Sequence, residues 1–522
     1  MGRRLFSKRN QKQMQSQRQE PKEENFAITL FKELNKNADN LKKMLDEPDD
    51  LVIREFTVGQ QNYPCAIVYI DGLIDRDLVQ NSMLESLQNI TANQESPKKV
   101  ATVFNEIYQE FISITNIEKG YTLDDVSNAI LSGNAVFYLD GMDTVLIMNA
   151  MGGETRSIEQ PITETLVRGP RTAFVENLGT NLSLLRRDIQ APNLRLKTHK
   201  IGRRSKRSLV VAYVDGIVNP AILKEVNRRL ETIDIDDAPE SGFIEQWIED
   251  SFLSPFPQLL DTERPDMVSG SLLQGKVAIL LDGTPFALVM PITIGDVFKS
   301  SEDYYERWLY GTLLRILRYI GAFLALFLPG LYIALTSFHQ GLLPSKLAFS
   351  IAASREGVPF PPLAEAIIMV IALELLQEAG LRLPTPIGQT IGIVGGLVLG
   401  ESAVQAGIVS PVMVIVIALT AIAAYTTPTF SLGISLRILR FAFMIAAASF
   451  GLYGVVLIYI MINIHIVNLT SFGVPYATPF APTMLRDMKD LVLRAPRSML
   501  TKRPEHLQPD DATAAEKGEQ KS

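Results

Sequence analysis

The sequence predicts two regions of different fold class: a cytoplasmic α/β domain built from two tandem modules, followed by an all-α polytopic membrane domain. Apolar runs fill the stretch from residue 301 to residue 467, whereas the first 300 residues are largely polar. Two pairs of segments in the polar part resemble each other at offsets of 144 and 142 residues. A composition of 47% hydrophobic and 20% charged residues suits a chain that mixes both regions.

Composition divides the chain into six segments. They are a basic and polar N-terminal arm (1–45), a first soluble α/β module (46–190), a basic linker (191–208), a second soluble α/β module (209–300), a helical membrane domain (301–480) and a cytoplasmic polar tail, disordered at its end (481–522). Residues 1–24 lack the apolar core of a signal peptide, so we expect the soluble modules to stay in the cytoplasm.

The two modules are predicted from their repeated segments. AIVYIDGLIDRDLVQ (66–80) resembles LVVAYVDGIVNPAIL (209–223), and GNAVFYLDGMDTVLIM (133–148) resembles GKVAILLDGTPFALVM (275–290). In each module an apolar strand ends at Asp-Gly before a helix. A second Asp-Gly joins two strands in a tight hairpin turn, whose two central residues both need positive φ. Thr122 with Asp125 predicts a capping box, and Asn219-Pro220 predicts a capped helix start.

The linker between the modules carries seven Lys and Arg residues from position 195 to position 207. A basic segment beside a membrane gains roughly 1 kcal/mol per charge from anionic lipid, which makes lipid or partner docking one interpretation. A solvated linker is the other, because charge runs are often simply hydrated.

Five apolar runs predict the membrane spans, which number four or five: 319–335, 363–381, 387–400, 408–425 and 441–467. A helix rises about 1.5 Å per residue, so about 20 residues cross a hydrocarbon layer of about 30 Å. The fourteen residues from Ile387 to Gly400 reach only about 21 Å, which makes this run the candidate re-entrant segment. Pro329-Gly330 predicts a kink in the first run.

Basic residues near the span ends predict the orientation. Arg315 and Arg318 place the start of the first span on the cytoplasmic side, and basic residues in the tail favour the same side for the C-terminus. An even number of crossings satisfies both, although it leaves Arg437 and Arg440 on the outer side. Five full crossings are the alternative.

Carboxylate and amide side chains of the membrane domain are the candidate cation path: Glu374, Glu378, Glu401, Glu365, Gln377 and Gln405. A charge at mid-bilayer costs about 2.5–3.5 kcal/mol on insertion scales, so such residues usually face a bundle interior or water. Glu374 and Glu378 lie four residues apart on one helix face, and Glu365 lies near that face. The alternative places Glu365, Glu378 and Glu401 at the level of the lipid headgroups.

Glycines spaced by four residues, Gly388, Gly392, Gly396 and Gly400, predict close helix packing. Helices of one chain and subunits around a pore would both use such a pattern. A chain with four or five crossings is short for a transporter of inverted repeats, which favours an oligomer or a complex with another membrane subunit.

The sequence offers no catalytic or metal-binding motif. One cysteine, Cys65, and four dispersed histidines give no Cys/His cluster, and neither HExxH nor GxSxG occurs. Residues 270–277 resemble a phosphate-binding loop, but Val277 replaces the required hydroxyl and a strand is predicted where a helix should follow. We therefore predict no enzyme activity, no cofactor and no metal, and a net charge of −7 argues against nucleic-acid binding.

Four long blocks resemble the A subunits of GerA-type spore germinant receptors. They are VRGPRTAFVENLGTNLSLLRRDI (167–189), LPGLYIALTSFHQGLLP (328–344), PFPPLAEAIIMVIALELLQEAGLRLP (359–384) and GQTIGIVGGLVLGESAVQAGIVSPVMVIVIALTAIA (388–423). The resemblance implies a multi-pass protein in the inner membrane of a bacterial endospore. It also implies a transporter-like B subunit, a lipoprotein C subunit, and A subunits that oligomerise into a nutrient-gated channel for monovalent cations. The family's nutrient site is attributed mainly to the B subunit.

The resulting hypothesis is a receptor subunit in which nutrient binding to a partner shifts the glycine-rich segment and opens a cation path at Glu374. The nutrient, the stoichiometry, the ion preference and any ligand of the soluble modules are left open by the sequence. Val167, Arg168, Gly169, Pro170 and Arg171 form the block predicted to couple the soluble and membrane domains. A component of a cation- or proton-coupled transporter and a non-conducting receptor scaffold are the two alternatives.

Overall fold

The computed structural model describes residues 29–58, 62–80, 99–112, 117–150, 152, 160–161 and 163–515. The predicted disorder at the very end of the tail lies outside these residues. The chain divides into two compact units: residues 1–158, 177–199 and 210–217 form the first, and residues 159–176, 200–209 and 218–522 form the second.

The first module contains a five-stranded sheet in the order β1-β2-β4-β5-β3, with neighbouring strands antiparallel. Its strands are β1 (Leu51–Val58), β2 (Tyr63–Ile70), β3 (Ile117–Gly120), β4 (Ala135–Leu139) and β5 (Val145–Met148). Its helices are α1 (Leu34–Leu45), α2 (Val100–Ile112), α3 (Leu123–Leu131) and α4 (Leu178–Asp188).

Both faces of this sheet are buried. Ile67 and Phe137 point to a core that includes residues of α2, whereas their neighbours Val68 and Val136 point to a second core that includes residues of α1 and α3. Successive strand residues face opposite sides, so a sheet covered on both sides needs continuous apolar runs. The prediction of a polar arm over residues 1–45 is wrong for α1, because leucines of this helix, Leu41 among them, are buried in the second core.

The second module repeats the strand order of the first, which confirms the predicted duplication. Its sheet has the order β6-β7-β9-β10-β8, with strands β6 (Leu194–Ile201), β7 (Arg207–Val214), β8 (Leu260–Thr262), β9 (Val277–Leu281) and β10 (Ala287–Met290). Its helices are α5 (Pro220–Leu230), α6 (Ser241–Ile248) and α7 (Pro265–Leu272). Most of the segment predicted as a basic linker is therefore strand, and its charges lie along β6 and the β6–β7 turn.

Local motifs were predicted well except for the hairpin geometry. Thr122 and Asp125 form the capping box of α3, and the Asn219 side chain caps α5, which has Pro220 in its first turn. The hairpin loops span residues 140–144 and 282–286, and positive φ occurs at Gly141 and Gly283 but not at the preceding aspartates. The expected tight turn with two positive φ angles is thus replaced by a longer loop that needs only the glycine.

The C-terminal region is a helical bundle. After the short α8 (Glu302–Tyr305) it contains α9 (Trp308–Ser337), α10 (Ser345–Arg355), α11 (Pro362–Arg382), α12 (Thr385–Gln405), α13 (Pro411–Ala424), α14 (Phe430–Phe450) and α15 (Leu452–Asn468), then the strand pair β11 (Thr470–Ser471) and β12 (Val474–Pro475). Among the described residues, α9 and α14 are long and apolar enough to cross a membrane, and α13 and α15 are shorter apolar helices.

Two predicted runs differ from the helices. The run 387–400 belongs to α12, which is 21 residues long, so the argument that it is too short to cross is wrong. The run 441–467 is two helices rather than one, because Gly451 adopts φ +60° and separates α14 from α15. Pro329 lies inside α9, which continues to Ser337.

Close approaches between helices establish their relative directions. A Cβ built on Gly321 would lie 3.0 Å from the carbonyl oxygen of Ala423, at the end of α13, and one built on Gly330 would lie 3.2 Å from that of Phe443, in the second half of α14. The early part of α9 therefore meets the end of α13, whereas its later part meets the later part of α14. Hence α14 runs parallel to α9 and α13 runs antiparallel to it.

The tail returns to the end of the bundle at which α9 begins. Arg315 Nη1 of α9 lies 2.8 Å from Oδ1 of Asp490, and the Asn219 side chain donates to the carbonyl of Leu507 at 3.3 Å. Leu507 in the predicted polar tail is fully buried, and the chain is described to residue 515. The tail and the start of α5 thus lie at the same end of the bundle, and the number of membrane crossings stays a prediction.

Candidate functional site

A charge pair joins two helices within the bundle. Arg437 Nη1 of α14 lies 3.2 Å from Oε2 of Glu374 in α11, and it donates to Oε1 of Gln377 at 3.3 Å. Both side chains of the pair are partly buried, at 30% exposure for Glu374 and 24% for Arg437. The structure therefore gives the strongest predicted cation-path residue a counter-charge that sequence analysis had placed on the outer side.

Three buried polar atoms in and beside this pair lack hydrogen-bond partners among the described residues. Oε1 of Glu374 is buried, and it has no hydrogen-bond partner among the described residues. One turn beyond Arg437, Arg440 is only 1% exposed, and its Nε and Nη1 also lack partners within the described part of the chain. Buried polar groups without partners are costly, so these three atoms destabilise the packing of α11 against α14.

Glu365 holds two other helices in place. Its side chain is fully buried, Arg355 Nη2 at the end of α10 lies 3.0 Å from Oε1, and the backbone N–H of Ser410 donates to Oε2 at 2.8 Å. Ser410 is the N-cap of α13, where unpaired backbone N–H groups favour a carboxylate. Both oxygens of Glu365 are thus engaged in fixing α10 and α13, and its depth in a membrane stays a prediction.

The remaining predicted path residues form exposed local pairs. Glu378 Oε1 lies 2.7 Å from Arg382 Nη2 one turn later in α11, and Gln405 donates to Oε1 of Glu401 at 3.0 Å in α12. The single acidic stripe expected along one helix face is therefore divided. Glu365 faces the α10–α13 side, Glu374 faces α14, and Glu378 points away from the chain.

The glycines of α12 divide into a packed and an open set. A Cβ on Gly388 would lie 2.8 Å from the carbonyl oxygen of Gly380, and one on Gly395 would lie 2.6 Å from Leu376, so α11 and α12 form a tight antiparallel hairpin. Gly392 and Gly396 are exposed and a Cβ there would meet no atom within 4 Å. Packing within the chain thus accounts for Gly388 but leaves the middle of the predicted glycine pattern uncovered.

The block 167–171 contacts the residues that lead into α9. The backbone N–H of Val167 donates to Glu302 Oε1 at 3.3 Å, and Gly169, at φ +146°, lies so close to the ring of Tyr305 that a Cβ would approach it to 2.8 Å. Arg264 of the second module donates to the carbonyl of Pro170 at 3.0 Å. Arg168 and Arg171 are exposed, and in the described residues neither side chain has a hydrogen bond or ion pair.

A buried charge network at the start of α9 escaped sequence analysis. Asp303 is fully buried and pairs with Arg315 Nε at 2.8 Å and with Arg318 Nη1 at 2.7 Å, while Asp490 of the tail lies 2.8 Å from Nη1 of Arg315. Arg315 and Arg318 are therefore paired inside the protein rather than free at the membrane surface, as the orientation argument assumed. The only sequence signal was an aspartate twelve and fifteen residues before two arginines that interrupt an apolar helix.

A second set of buried ion pairs extends this network into the second module. Lys276 Nζ lies 2.9 Å from Oδ2 of Asp296, which explains the lysine of the apparent phosphate loop. Burial opposes ionisation, but Lys276 and Lys299 hold the pKa of Asp296 well below its ordinary range. The pKa of Asp490 is likewise lowered, since Lys299 and Arg315 outweigh the effect of burial. These carboxylates stay charged at neutral pH, so the module, the tail and α9 remain bound by fixed charges.

Metal chemistry finds no support in the described residues, which contain no group of three or more His, Cys, Asp or Glu side chains placed to bind a metal ion. A free thiol, Cys65, is buried in the first module.

Comparison with known proteins places the chain in a family. The profile of the Bacillus/Clostridium GerA spore germination protein family matches residues 39–506. Spore germination protein GerLA of Bacillus cereus is 49% identical over 476 residues, 91% of this chain and 96% of that protein. Spore germination protein B1 of Bacillus subtilis (strain 168) is 42% identical over 486 residues, 93% of this chain and 99% of that protein.

A solved structure also matches: the N-terminal domain of the A subunit of the Bacillus megaterium spore germinant receptor GerK3, at 35% identity and a TM-score of 0.41, covering 50% of this chain and 96% of that one. The family match and the relatives agree with the resemblance carried by the four sequence blocks. The chain therefore belongs to the GerA family of spore germinant receptor A subunits.

Proposed function

We propose that this chain is the membrane subunit of a nutrient-responsive germination receptor and that its copies oligomerise into a nutrient-gated cation channel in the spore inner membrane. A transporter-like B subunit and a lipoprotein C subunit complete the receptor. The observation that carries the proposal is the Glu374–Arg437 pair, because a partly buried carboxylate with one unbonded oxygen in an apolar bundle is expected beside a water-filled path.

The pair represents the closed state of the proposed path. Arg437 neutralises Glu374, and Arg440 adds a further positive charge nearby, so a cation at this position is repelled until α14 moves relative to α11. Once Arg437 withdraws, Glu374 and Gln377 supply oxygens for a passing cation. Glu378 and Glu401 lie near the C-terminal ends of two antiparallel helices, so they mark opposite ends of the path.

Subunit association is proposed to use the open glycine face of α12. Gly392 and Gly396 would let the backbone of a neighbouring copy approach closely, in the way that small residues mediate helix contacts in membranes. Nutrient binding in a partner shifts this packing, and the free energy for opening comes from tighter nutrient binding to the open state. The block 167–171 passes the motion of the second module to α9 through Gly169 and Tyr305.

Reconstitution of the complex tests the proposal against its alternatives. Proteoliposomes with the B and C partners are compared with and without this chain, and currents are recorded at single-channel resolution after nutrient addition. We expect unitary steps that require this chain. Normal conductance by the partners alone would favour the scaffold alternative, and stoichiometric flux without unitary steps would favour the coupled transporter.

A further inference from the structure

Exposed apolar side chains are concentrated on one stretch of the second module. Phe252 and Leu253 are 80% and 81% exposed in the loop that follows α6. Within α6, Phe243 and Trp247 are also exposed, at 53% and 44%, while Ile248 is buried. Phe243 and Trp247 lie four residues apart, so they share one face of the helix. Helix and loop together present an apolar surface that the described part of the chain leaves uncovered.

Hydrogen bonds fix this loop against the bundle. The Ser254 hydroxyl lies 2.9 Å from Nε2 of His465, in the last turn of α15, and the Ser435 hydroxyl of α14 donates to the carbonyl of Pro255. On the other side of the loop, the backbone N–H of Phe472 donates to Asp250 at 2.7 Å. A residue spans at most about 3.6 Å, so the Cα atoms of Phe252 and Leu253 lie within about 11 Å of those of Ser254 and Pro255.

The anchored positions belong to the apolar outer surface of the bundle. On α14, Phe430, Ile434 and Ile438 are exposed at a spacing of four residues, which makes them one outward stripe around the level of Ser435. On α15, Ile464 and Val467 are 57% and 53% exposed on either side of His465. These stripes are the surfaces that the two helices present to hydrocarbon if they cross a bilayer.

We propose that Phe252 and Leu253, together with Phe243 and Trp247, insert into the headgroup–acyl boundary of the bilayer that surrounds α14 and α15. The inference rests on the membrane placement in the proposed function. Tryptophan and other aromatic residues favour this boundary because one side of it is apolar and the other is wet. These four side chains then hold the second module at the membrane, at a contact separate from the Asp303 network.

The negative charges of the loop favour contact with the apolar part of the boundary over contact with anionic headgroups. Glu249 and Asp250 precede Phe252 by three and two residues, and Asp250 is already paired with Arg229 at 2.7 Å. Carboxylates near the surface would be repelled by anionic lipid, so insertion depends on apolar burial and should not require negative headgroups. Neutral phosphatidylcholine is therefore the appropriate test lipid.

Quenching of a fluorescent label locates the loop. The full chain carrying Phe252→Cys is labelled with an environment-sensitive dye, placed in phosphatidylcholine nanodiscs, and quenched either by doxyl groups on the lipid chains or by aqueous iodide. The unmodified chain measures background labelling of Cys65, which is only 1% exposed. Ala221→Cys is the matched control, because it is an exposed position at the start of α5, whereas Arg229 at the other end of that helix reaches Asp250.

We expect several-fold stronger quenching by doxyl lipid than by iodide at position 252, and the reverse at position 221. Leu253→Cys repeats the measurement if the first variant fails to fold. Iodide quenching at both loop positions would place the loop in water, and protection from both quenchers would place it in a protein interface; either result overturns the inference. If the label is in water while nutrient-gated currents persist, this inference fails and the proposed function stands.

Discussion

Arg437 lies 3.2 Å from Glu374 across the α11–α14 contact, so the carboxylate proposed to attract cations is already neutralised by the same chain. Two helices that otherwise meet through apolar residues such as Val370 and Met444 are thereby joined by charge. The arrangement explains how a glutamate is tolerated in a largely apolar helix. It also identifies the contact that has to change when the proposed path opens.

Removing the positive partner should open the path without nutrient. Arg437→Gln removes the positive charge beside Glu374 and leaves its carboxyl group free to accept a cation, so we expect a nutrient-independent cation leak from proteoliposomes that hold the assembled receptor. Arg228→Gln is the control, since Arg228 is 60% exposed and pairs with Glu225 on the surface of α5. A tight receptor with a normal nutrient response after Arg437→Gln would remove the pair from the gating mechanism.

Substitutions on α12 should separate packing within the chain from packing between copies. Gly388→Leu forces a side chain onto the backbone of Gly380, so we expect the folded protein to be lost. Gly392→Leu meets open space in one copy, so we expect normal folding with a loss of oligomer, measured by crosslinking and by mass in detergent. Gly341→Leu, also in open space but outside α12, should change neither property. An unchanged oligomer in the Gly392 variant would show that this face meets lipid.

The buried aspartate at the start of α9 should hold the tail in place. Asp303→Asn removes the charge that pairs with Arg315 and Arg318, and breaking a buried pair costs about 3–5 kcal/mol. We expect a lower unfolding temperature and faster proteolysis around residues 484–500. Asp511→Asn is the matched control in the same tail, because its pair with Arg503 is partly exposed and such pairs contribute about 0–1 kcal/mol. Equal behaviour of the two variants would contradict the structural role of Asp303.

A buried carboxyl in the segment before the block 167–171 should make stability depend on pH. Burial raises the pKa of Glu164 to about 7, although Thr262 donates a hydrogen bond to it at 2.5 Å and Arg264 lies nearby. Because the folded pKa lies above the unfolded one, the protonated group stabilises the fold at low pH, and this contribution is lost as pH rises through about 7.

Glu164→Gln should therefore flatten the fall in unfolding temperature between about pH 5 and pH 8, while the exposed Glu231→Gln should leave it unchanged. Glu245, whose pKa burial also raises to about 7, would keep part of the slope, so the double variant should be flatter still. An unaltered slope in both Glu164 variants would contradict this assignment.

Sequence patterns predicted the features that depend on neighbours along the chain. The repeated strands, the capping box at Thr122 and the proline start of α5 all follow from residues within a few positions of one another. The end of α14 could not be predicted in this way. Apolar residues continue on both sides of it, and only the positive φ of Gly451 marks the break between α14 and α15. The length of α12 was underestimated because only its apolar run was counted, whereas the helix also includes Thr385, Pro386 and the residues from Glu401 to Gln405.

The candidate site depended on contacts that no local pattern contains. Glu374 was singled out by its apolar flanks, yet its partner Arg437 is 63 residues away, at a position that the preferred even number of crossings had left on the outer side. Asp303 and Asp490 look like ordinary surface charges, and only the folded chain brings both to Arg315. Local spacing identified charged residues that are costly to bury. Three-dimensional packing determined which counter-charge each of them receives.

Unitary conductance of the assembled receptor with Glu374→Gln tests the central claim most directly. The charge is removed with little change in size, so we expect open-channel cation current to fall and cation-over-anion selectivity to weaken, while Glu378→Gln has a smaller effect. Nutrient-evoked steps of unchanged size and selectivity in the Glu374 variant would contradict a cation path at this residue.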